Sequence, residues 1–328
     1  MTHPYWAGDP YRQARIALQH GDPTPALGLL AAARGDATYR IHAICWLVDG
    51  VVPQLPLLET RLGQDPWNPD LWLLVGAVQQ EAAWDARGAD RIANTSEDQI
   101  RGLLHHMTRA RSSLRRAAEL LPDDPAPWFQ LMSCAMAAKS YPGEMHDMWK
   151  ELVQRGGDVA YQANRLRLVC LTEKWHGSEA ECFAFARERT RDLPPGHPLH
   201  ALVPLAHVEA YVELRSADRV TTRVWAAIRY LSKRPVKTEI DQASDRLLAG
   251  SDAFAGHPAS REAHQAFACV YADNGDLDRA RHHLIRSGDE ATWPWTYFGD
   301  KDELFERARV RAGLPPRHSP PGRPASPR

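Results

Sequence analysis

Two carboxyl residues, Glu81 and Asp85, are the first candidates for chemistry because they stand four positions apart in a strongly helical stretch. Residues four apart lie on the same face of a helix, and Trp84 lies beside them. Two carboxylates on a half-buried face raise each other's pKa, which suits acid–base chemistry near neutral pH. With His176 as a further titratable group, these residues form the acid–base hypothesis that the sequence supports.

An ion pair is the simpler interpretation of the same two carboxylates. Arg87 follows them on the same helix, and Arg109 belongs to the helix predicted to face it. A carboxylate that is paired with arginine stays charged at neutral pH and transfers no proton. The sequence therefore favours a salt-bridged face at Glu81 and Asp85. It assigns no catalytic residue and leaves a small-molecule enzyme as the less favoured alternative.

A nucleophilic serine is a weaker hypothesis. Ser178 follows His176 closely, but no strand–turn–helix elbow surrounds it. Glu179 and Glu181 come next, and acidic residues are favourable at the positive end of a helix dipole. Ser178 is therefore predicted to be a helix N-cap. The sequence contains no glycine-rich phosphate loop either, so no cofactor is predicted.

The 15 histidines show no metal-ligand spacing. His197 and His200 are three positions apart, but His207 lies seven further on, which is a rise of about 10 Å on a helix. Adjacent histidines diverge by about 100° on a helix and do not readily share one ion. Two such pairs occur, His105–His106 and His282–His283. No metal site is predicted.

The charge balance argues against a polyanionic partner. The chain has a formal net charge of −1, and its pI is near 7.0. One predicted helix carries a row of arginines, in which Arg101, Arg109 and Arg116 share a face and are accompanied by Arg111 and Arg115. No stacking motif of a single-strand binder accompanies this row. We expect the row to be solvated or salt-bridged, with no nucleic-acid or membrane partner.

Tryptophan is the residue type that points to a binding function. The chain contains 11 tryptophans, of which Trp72 and Trp128 are predicted to be core residues. Aromatic residues and arginines on the inner face of a curved helical array are good anchors for a peptide. We expect a protein or peptide partner and binding without catalysis. The predicted candidate groove consists of Glu81, Trp84, Asp85, Arg87, Trp175 and His176.

Helices must position all of these residues. Apolar residues recur with helical spacing nearly throughout, punctuated by Pro, Gly and Asp, and alternating strand patterns are almost missing. One helix is predicted to open at Asn68 and to continue through Asp85. A long helix follows, opening at Thr95 or Ser96. The sequence thus predicts an all-α fold.

A recurring order of small and bulky residues refines this prediction. The run 72–76, Trp-Leu-Leu-Val-Gly, matches the opening of a tetratricopeptide (TPR) unit, and Ala110, Leu114, Ala117 and Pro122 match its second helix. Small residues let paired helices approach closely, and proline ends the second helix. The pattern therefore predicts a TPR-like helical-hairpin solenoid, with a generic helical bundle as the alternative.

Two further observations concern the same repeat. Trp128 stands where another unit should open, and a third match extends from His264 through Tyr271 to Leu284. Between Gln79 and Ala110 the chain is about 22 residues longer than a TPR hairpin allows, because the first helix continues, a loop from Gly88 to Ser96 follows, and the long helix begins early. We expect this extended hairpin to project beyond its neighbours.

Three segments carry a family resemblance: Ala83-Trp84-Asp85-Ala86-Arg87-Gly88, Leu120-x-Pro122-x-Asp124-Pro125-x-Pro127-Trp128, and the stretch from Glu173-Lys174-Trp175-His176-Gly177-Ser178 to Cys182-Phe183-Ala184-Phe185-Ala186-Arg187. They resemble a family of bacterial TPR-like proteins that carry a domain of unknown function. The resemblance covers roughly residues 60–290. It implies a TPR-like fold in a bacterial cytoplasm, and it implies no activity.

The predicted domains are an N-terminal helical region over 1–65, a TPR-like repeat domain over 66–313 and a disordered tail over 314–328. The tail is predicted because its composition, rich in proline, cannot bury a core. No secretory signal pattern and no run of about 18 apolar residues is present. Five scattered cysteines lack a Cys-x-x-Cys pair, which is typical of reduced thiols. A cytoplasmic location is therefore expected.

Overall fold

The structure is a computed structural model that describes residues 9–88, 96–137, 142–216 and 230–317. Every regular element in these ranges is helical, and none of the described residues forms a strand, so the predicted all-α class is confirmed. The chain divides into two compact units, Met1–Cys182 (unit 1) and Phe183–Arg328 (unit 2). The predicted divisions at 65/66 and 313/314 stay predictions.

The helices of unit 1 are α1 (Pro10–Gln19), α2 (Thr24–Ala32), α3 (Ala37–Leu47), α4 (Leu55–Gln64), α5 (Pro69–Arg87), α6 (Glu97–Leu120), α7 (Ala126–Ala137), α8 (Pro142–Gln154) and α9 (Tyr161–Cys170). Helix α10 (Glu179–Thr190) crosses the division between the units. Those of unit 2 are α11 (Leu202–Ser216), α12 (Arg234–Ala249), α13 (Ser260–Asn274), α14 (Leu277–Leu284) and α15 (Lys301–Arg311).

Local capping determines where the key helices begin. The Asn68 side chain accepts hydrogen bonds from the first backbone N–H groups of α5, and Ser96 forms a capping box with Gln99 at the start of α6. Ser178 Oγ accepts from Glu181 N at 3.2 Å, as predicted for an N-cap. These three helix starts are therefore confirmed. The predicted loop between α5 and α6 lies mostly outside the described residues.

Helices α5 and α6 form the most extensive helix pair of unit 1. Gly76 makes the close approach feasible, because a Cβ atom at this position would lie only 2.7 Å from Leu114 Cγ. Ala110 and Ala117 are buried on the facing side of α6. The small residues predicted at this crossing thus have the packing role expected of them. Trp72 is half-buried and packs against the same core.

A buried ion-pair network joins α3, α5 and the segment before α7. Arg40, whose side chain is 1% exposed, donates from Nε and Nη2 to Asp124 Oδ2 at 2.9 and 2.6 Å. Its Nη1 donates to Leu30 O at 2.6 Å and lies 2.6 Å from Asp70 Oδ1, a close ion contact without hydrogen-bond geometry. Burial lowers the pKa of Arg40, but the carboxylates of Asp124 and Asp70 outweigh burial and raise it. Asp70 also binds Arg34.

Unit 2 contains a buried hydrogen-bonded chain in its core. His264 Nδ1 lies 2.9 Å from His283 Nδ1, and His283 Nε2 lies 2.8 Å from Ser244 Oγ. Tyr271 OH donates to Asp241 Oδ1 at 2.8 Å. Burial lowers the pKa of His264 to about 3, so the ring is neutral at physiological pH. His264 and Tyr271, which belong to the third repeat match in the sequence, are buried, at 1% and 0% exposure.

Two backbone segments of unit 2 touch at glycines. Gly196 has a φ of +87°, and its N–H donates to Arg246 O at 2.9 Å. A Cβ atom at Gly196 would lie 2.0 Å from Gly250 O, and one at Gly250 would lie 2.2 Å from Pro195 O. Both positions require glycine, because backbone atoms occupy the space of a side chain.

The start of the predicted tail packs against α15 of unit 2. Arg317 Nε lies 2.9 Å from Glu306 Oε2, and its Nη1 lies 3.2 Å from Asp302 Oδ1. Residues 318–328, the remainder of that tail, lie outside the described residues. No single helix in the described ranges is both long and apolar enough to cross a bilayer, although α3 and the segment Val52–Gln64 pass that test as a pair bent by 88°.

Candidate functional site

Four residues of the predicted groove lie on the last two turns of α5. Glu81 is half-buried and Asp85 is exposed, while the Arg87 guanidinium carbon lies 5.7 Å from the centre of the Trp84 ring. Neither carboxylate has a hydrogen-bond or ion-pair partner among the described residues. The ion pairs considered for them with Arg87 or Arg109 are therefore wrong for this structure. Arg109 binds Glu59 instead, at 2.7 Å.

Glu81 is the most perturbed carboxyl group of this set. Burial raises the pKa of Glu81 to about 7, and the nearby carboxylates of Asp85 and Asp49 add to the increase. Asp85 lies on α5 itself and Asp49 follows α3, so negative charge from two elements acts on Glu81. A carboxyl group with a pKa near 7 exchanges protons at physiological pH, which is the property that the acid–base hypothesis required.

We expect Glu81→Gln to stabilise unit 1 at pH 8, by on the order of 2 kcal/mol after allowance for partial solvent exposure. The folded-state pKa of about 7 lies above the usual value of 4.5, so the folded protein ionises less readily than the unfolded chain. Stability is fully retained below pH 4.5 and falls as the pH rises to 7. The gain from the substitution should therefore vanish near pH 4, as measured by denaturant unfolding across pH.

A neighbouring carboxyl group provides the comparison. Asp85 is exposed, so Asp85→Asn should change stability less while lowering the pKa of Glu81, which NMR titration of the Glu81 side chain measures. A loss of stability for Glu81→Gln at pH 8 would contradict the assignment, because it would reveal a favourable partner of the ionised carboxylate.

Trp175 and His176 lie in a separate turn that follows α9. Trp175 packs against a small core cluster that includes Met132 and Cys170, and Lys174 Nζ lies 5.2 Å from the centre of its ring. His176 is exposed and has a φ of +70°. No hydrogen bond or ion pair between described residues connects this turn to the predicted groove residues of α5. The structure thus places the six predicted groove residues on two separate elements of unit 1.

A different surface of unit 1 forms an open groove of about 640 Å³. Six of its lining residues come from α6, between its middle and its C-terminal end, and one comes from the start of α5. We call this surface the α6 groove; it is lined by Trp72, Thr108, Arg111, Ser112, Arg115, Arg116 and Glu119. Its volume lies within the range of ordinary ligand sites.

The charges of the α6 groove are only partly balanced. Arg111 is paired with Glu144 of α8, and Arg116 Nη1 lies 2.8 Å from Glu119 Oε2. Arg115 is exposed and has no acidic partner among the described residues. The groove therefore presents one unpaired guanidinium between two arginines whose charges are already neutralised.

Two tryptophans stand at one end of the α6 groove. Trp72 Nε1 donates to Pro66 O at 2.8 Å, which fixes the indole beside the groove. Trp67 is 72% exposed, and the Arg116 guanidinium carbon lies 5.2 Å from the centre of its ring. Such exposure is unusual for the largest apolar side chain, because burying it would be favourable. The end of the groove thus combines aromatic surface with arginine.

The sequence contained a partial signal for this groove. The arginine row of α6 was recognised, and it was predicted to be solvated or salt-bridged. That prediction is confirmed for Arg101, which binds Asp98, for Arg109, and for the two paired arginines of the groove. Arg101 and Arg116 pair with residues of α6 itself, whereas Arg109 and Arg111 pair with residues of other helices, so the sequence alone did not identify Arg115 as the unpaired arginine.

Unit 2 has a second open depression of about 500 Å³, lined by Asp245, Leu248, Asp278, Arg279, His282 and Arg286. Arg279 Nη1 lies 2.8 Å from Asp245 Oδ1. Arg286 is exposed and donates to His282 O and to Ser251 Oγ, but it has no acidic partner among the described residues. No tryptophan lines this depression, so the combination of an unpaired arginine with tryptophan distinguishes the α6 groove.

The fold and the groove define this chain as an all-α protein with an aromatic and basic surface depression. Within the described ranges, no group of three or more His, Cys, Asp or Glu side chains is arranged to hold a metal ion. No protein-family model matches the chain, and no curated protein is significantly similar to it. The family resemblance therefore stays a prediction.

Proposed function

We propose that this chain is a protein- or peptide-binding protein of the TPR-like kind, and that the α6 groove is its contact surface. The single observation that carries the proposal is Trp67, which is 72% exposed beside the groove and stacks against Arg116. Tryptophan and arginine are the residue types that most often dominate the energy of protein interfaces. A partner that covers Trp67 gains hydrophobic free energy that the isolated chain leaves unused.

The arrangement of helices supports the TPR-like part of the proposal. Helices α5 and α6 pair closely at Gly76, and α6 in turn packs against α7. Successive packing of hairpins along the chain is the arrangement that leaves extended surfaces open to a partner. The α6 groove is such a surface.

An acid–base function is the alternative, and one observation favours it: the pKa of Glu81 is raised to about 7. The other groups that this function requires are poorly placed. Asp85 and His176 are both exposed, and His176 lies on a different element from Glu81. None of these three residues lines the α6 groove. Binding is therefore the function that the geometry supports best.

Binding of the full chain to arrayed short peptides of acidic, basic, apolar and mixed composition tests the proposal. The peptides retained by the chain are then compared with the Trp67→Ala variant by fluorescence polarisation. We expect this substitution to weaken binding at least about tenfold, as for an interface anchor. It should leave the unfolding curve unchanged, because the side chain is mostly exposed.

Val159→Ala is the matched control, since it also truncates an exposed apolar side chain of unit 1, 52% exposed, outside the groove. We expect it to leave the affinity unchanged. Equal losses in the two variants, or an absence of binding to every arrayed peptide, would overturn the proposal.

A further inference from the structure

We infer that the α6 groove recognises an acidic peptide segment, in which a side-chain carboxylate of Asp or Glu binds Arg115. This inference deepens the proposed function and rests on it. It concerns the chemistry of the partner, whereas the proposed function concerns only the surface on which a partner binds.

Charge complementarity is the first step of the argument. Of the three arginines that line the groove, Arg111 is engaged by Glu144 and Arg116 by Glu119. Arg115 has no acidic partner among the described residues and is exposed. A guanidinium presents a planar set of N–H donors that matches the two oxygens of a carboxylate. A carboxylate is therefore the group that completes the groove.

The residues around Arg115 are the second step. Thr108 and Ser112 line the same groove along α6, four residues apart. The Thr108 hydroxyl donates to Leu104 O at 2.8 Å, so its oxygen lone pairs face outward for a peptide N–H. The Ser112 side chain is exposed and its hydroxyl can donate to a carboxylate or a carbonyl group. The groove thus offers two hydroxyl groups on the N-terminal side of the cation along α6.

The distribution of charge also distinguishes a peptide from a nucleic acid. A nucleic-acid backbone carries closely spaced phosphates and requires several unpaired cations in a row. The groove offers one unpaired cation, and Glu119, whose side chain is 64% exposed, stands at the same surface. Repulsion from Glu119 disfavours a continuous polyanion, whereas a segment with isolated carboxylates can place one of them at Arg115.

The tryptophans at one end of the groove indicate a second preference, for an apolar side chain in the peptide. Trp67 is exposed next to Arg116, and Trp72 lines the groove itself. A peptide whose carboxylate reaches Arg115 therefore extends toward a tryptophan surface at one end. We expect an apolar side chain close to the acidic residue to increase affinity.

The test uses the full chain and two fluorescein-labelled peptides that differ only in charge. The acidic probe has Glu residues and one Leu spaced by Gly and Ala, and the neutral probe has Gln in place of each Glu. We expect the acidic probe to bind at least about tenfold more tightly than the neutral probe at low salt. Arg115→Gln should weaken the acidic probe by about fivefold and leave the neutral probe unchanged.

Arg101→Gln is the matched control, because Arg101 is an exposed arginine of the same helix outside the groove and the change in net charge is identical. We expect it to change binding of the acidic probe by less than about 1.5-fold. Equal losses for both variants would overturn the inference, since they would show attraction to overall charge. Tighter binding of a single-stranded oligonucleotide than of the acidic peptide, with the same loss in Arg115→Gln, would also overturn it.

Two outcomes separate this inference from the proposed function. If neutral peptides bind in a manner that depends on Trp67 while the acidic probe shows no preference, binding at the groove stands and the acidic specificity is wrong. If no peptide binding depends on either Trp67 or Arg115, both are wrong.

Discussion

Replacing Arg40 by methionine is expected to lower the free energy of unfolding of unit 1 by about 3–5 kcal/mol. Arg40 is 1% exposed, and its removal leaves the carboxylates of Asp70 and Asp124 buried, each only 3% exposed, without their shared counter-ion. Leu30 O also loses its donor. Denaturant unfolding followed by tryptophan fluorescence measures the effect, because most tryptophans lie in unit 1.

Two controls test whether the buried carboxylates cause this loss. Arg34→Ala removes another arginine from Asp70, but its side chain is 41% exposed, so a cost of less than about 1 kcal/mol is expected. Adding Asp70→Asn and Asp124→Asn to Arg40→Met should restore part of the stability, because the isolated charges are removed. Asn at position 124 can still accept the capping hydrogen bond from Ala126 N. Failure of the triple variant to recover stability would contradict the explanation.

Replacing Gly196 by alanine is expected to lower the free energy of unfolding of unit 2 by about 3 kcal/mol or more. We expect this to be the largest effect of any glycine-to-alanine substitution in that unit. Its φ of +87° is unfavourable for any L-residue with a side chain. The new Cβ would also lie 2.0 Å from Gly250 O, a backbone atom that moves only if the Gly196 N–H bond to Arg246 O is disrupted. Backbone strain and a steric collision therefore both destabilise the alanine variant at this position.

Two other glycines measure these costs separately. Gly275→Ala introduces strain alone, because φ is +84° and nothing lies within 4 Å of the new Cβ; we expect a loss of about 1–2 kcal/mol. Gly250→Ala introduces the collision alone, because φ is −130° there. Hydrogen exchange measured on peptides from α12 should show a larger loss of protection in Gly250→Ala than in Gly275→Ala. A milder effect at Gly250 than at Gly275 would show that the backbone contact relaxes easily.

Local signals explain why the helix starts were predictable. Asn68, Ser96 and Ser178 each cap a helix with a side chain that bonds to N–H groups two or three residues away. A signal contained in so short a segment can be recognised in the sequence without knowledge of the fold. The buried positions Ala117 and Tyr271 were predictable for a related reason, because small and apolar residues recur on one face of a helix with the helical period.

Interactions between residues that are far apart in the sequence explain which features of the structure could not be predicted. Arg40 and Asp124 are 84 residues apart, and nothing in the segment around Arg40 predicts that a charged residue is buried there. The arrangement of the candidate groove could not be derived from the sequence for the same reason. Its residues were grouped by type and by an assumed inner face, whereas Trp175 packs against a cluster of α7, α8 and α9.

Helix α6, which lines most of the α6 groove, has one feature that the sequence predicted and one that it did not. Residue spacing was sufficient to recognise the arginine row and to predict that it is solvated or salt-bridged. The pairing of Arg109 and Arg111 depended on Glu59 and Glu144, which lie 50 and 33 residues away, so spacing alone could not identify the unpaired member.

The sequence by itself determined that this chain is helical, where its main helices begin and which positions face a core. Each of these properties follows from hydrogen bonding and periodicity within about two turns of helix. Only the tertiary structure decided which charges are neutralised, which tryptophan remains exposed and which glycines touch backbone. Those properties depend on atoms that approach each other from distant parts of the chain, and no local pattern of residues encodes their separation.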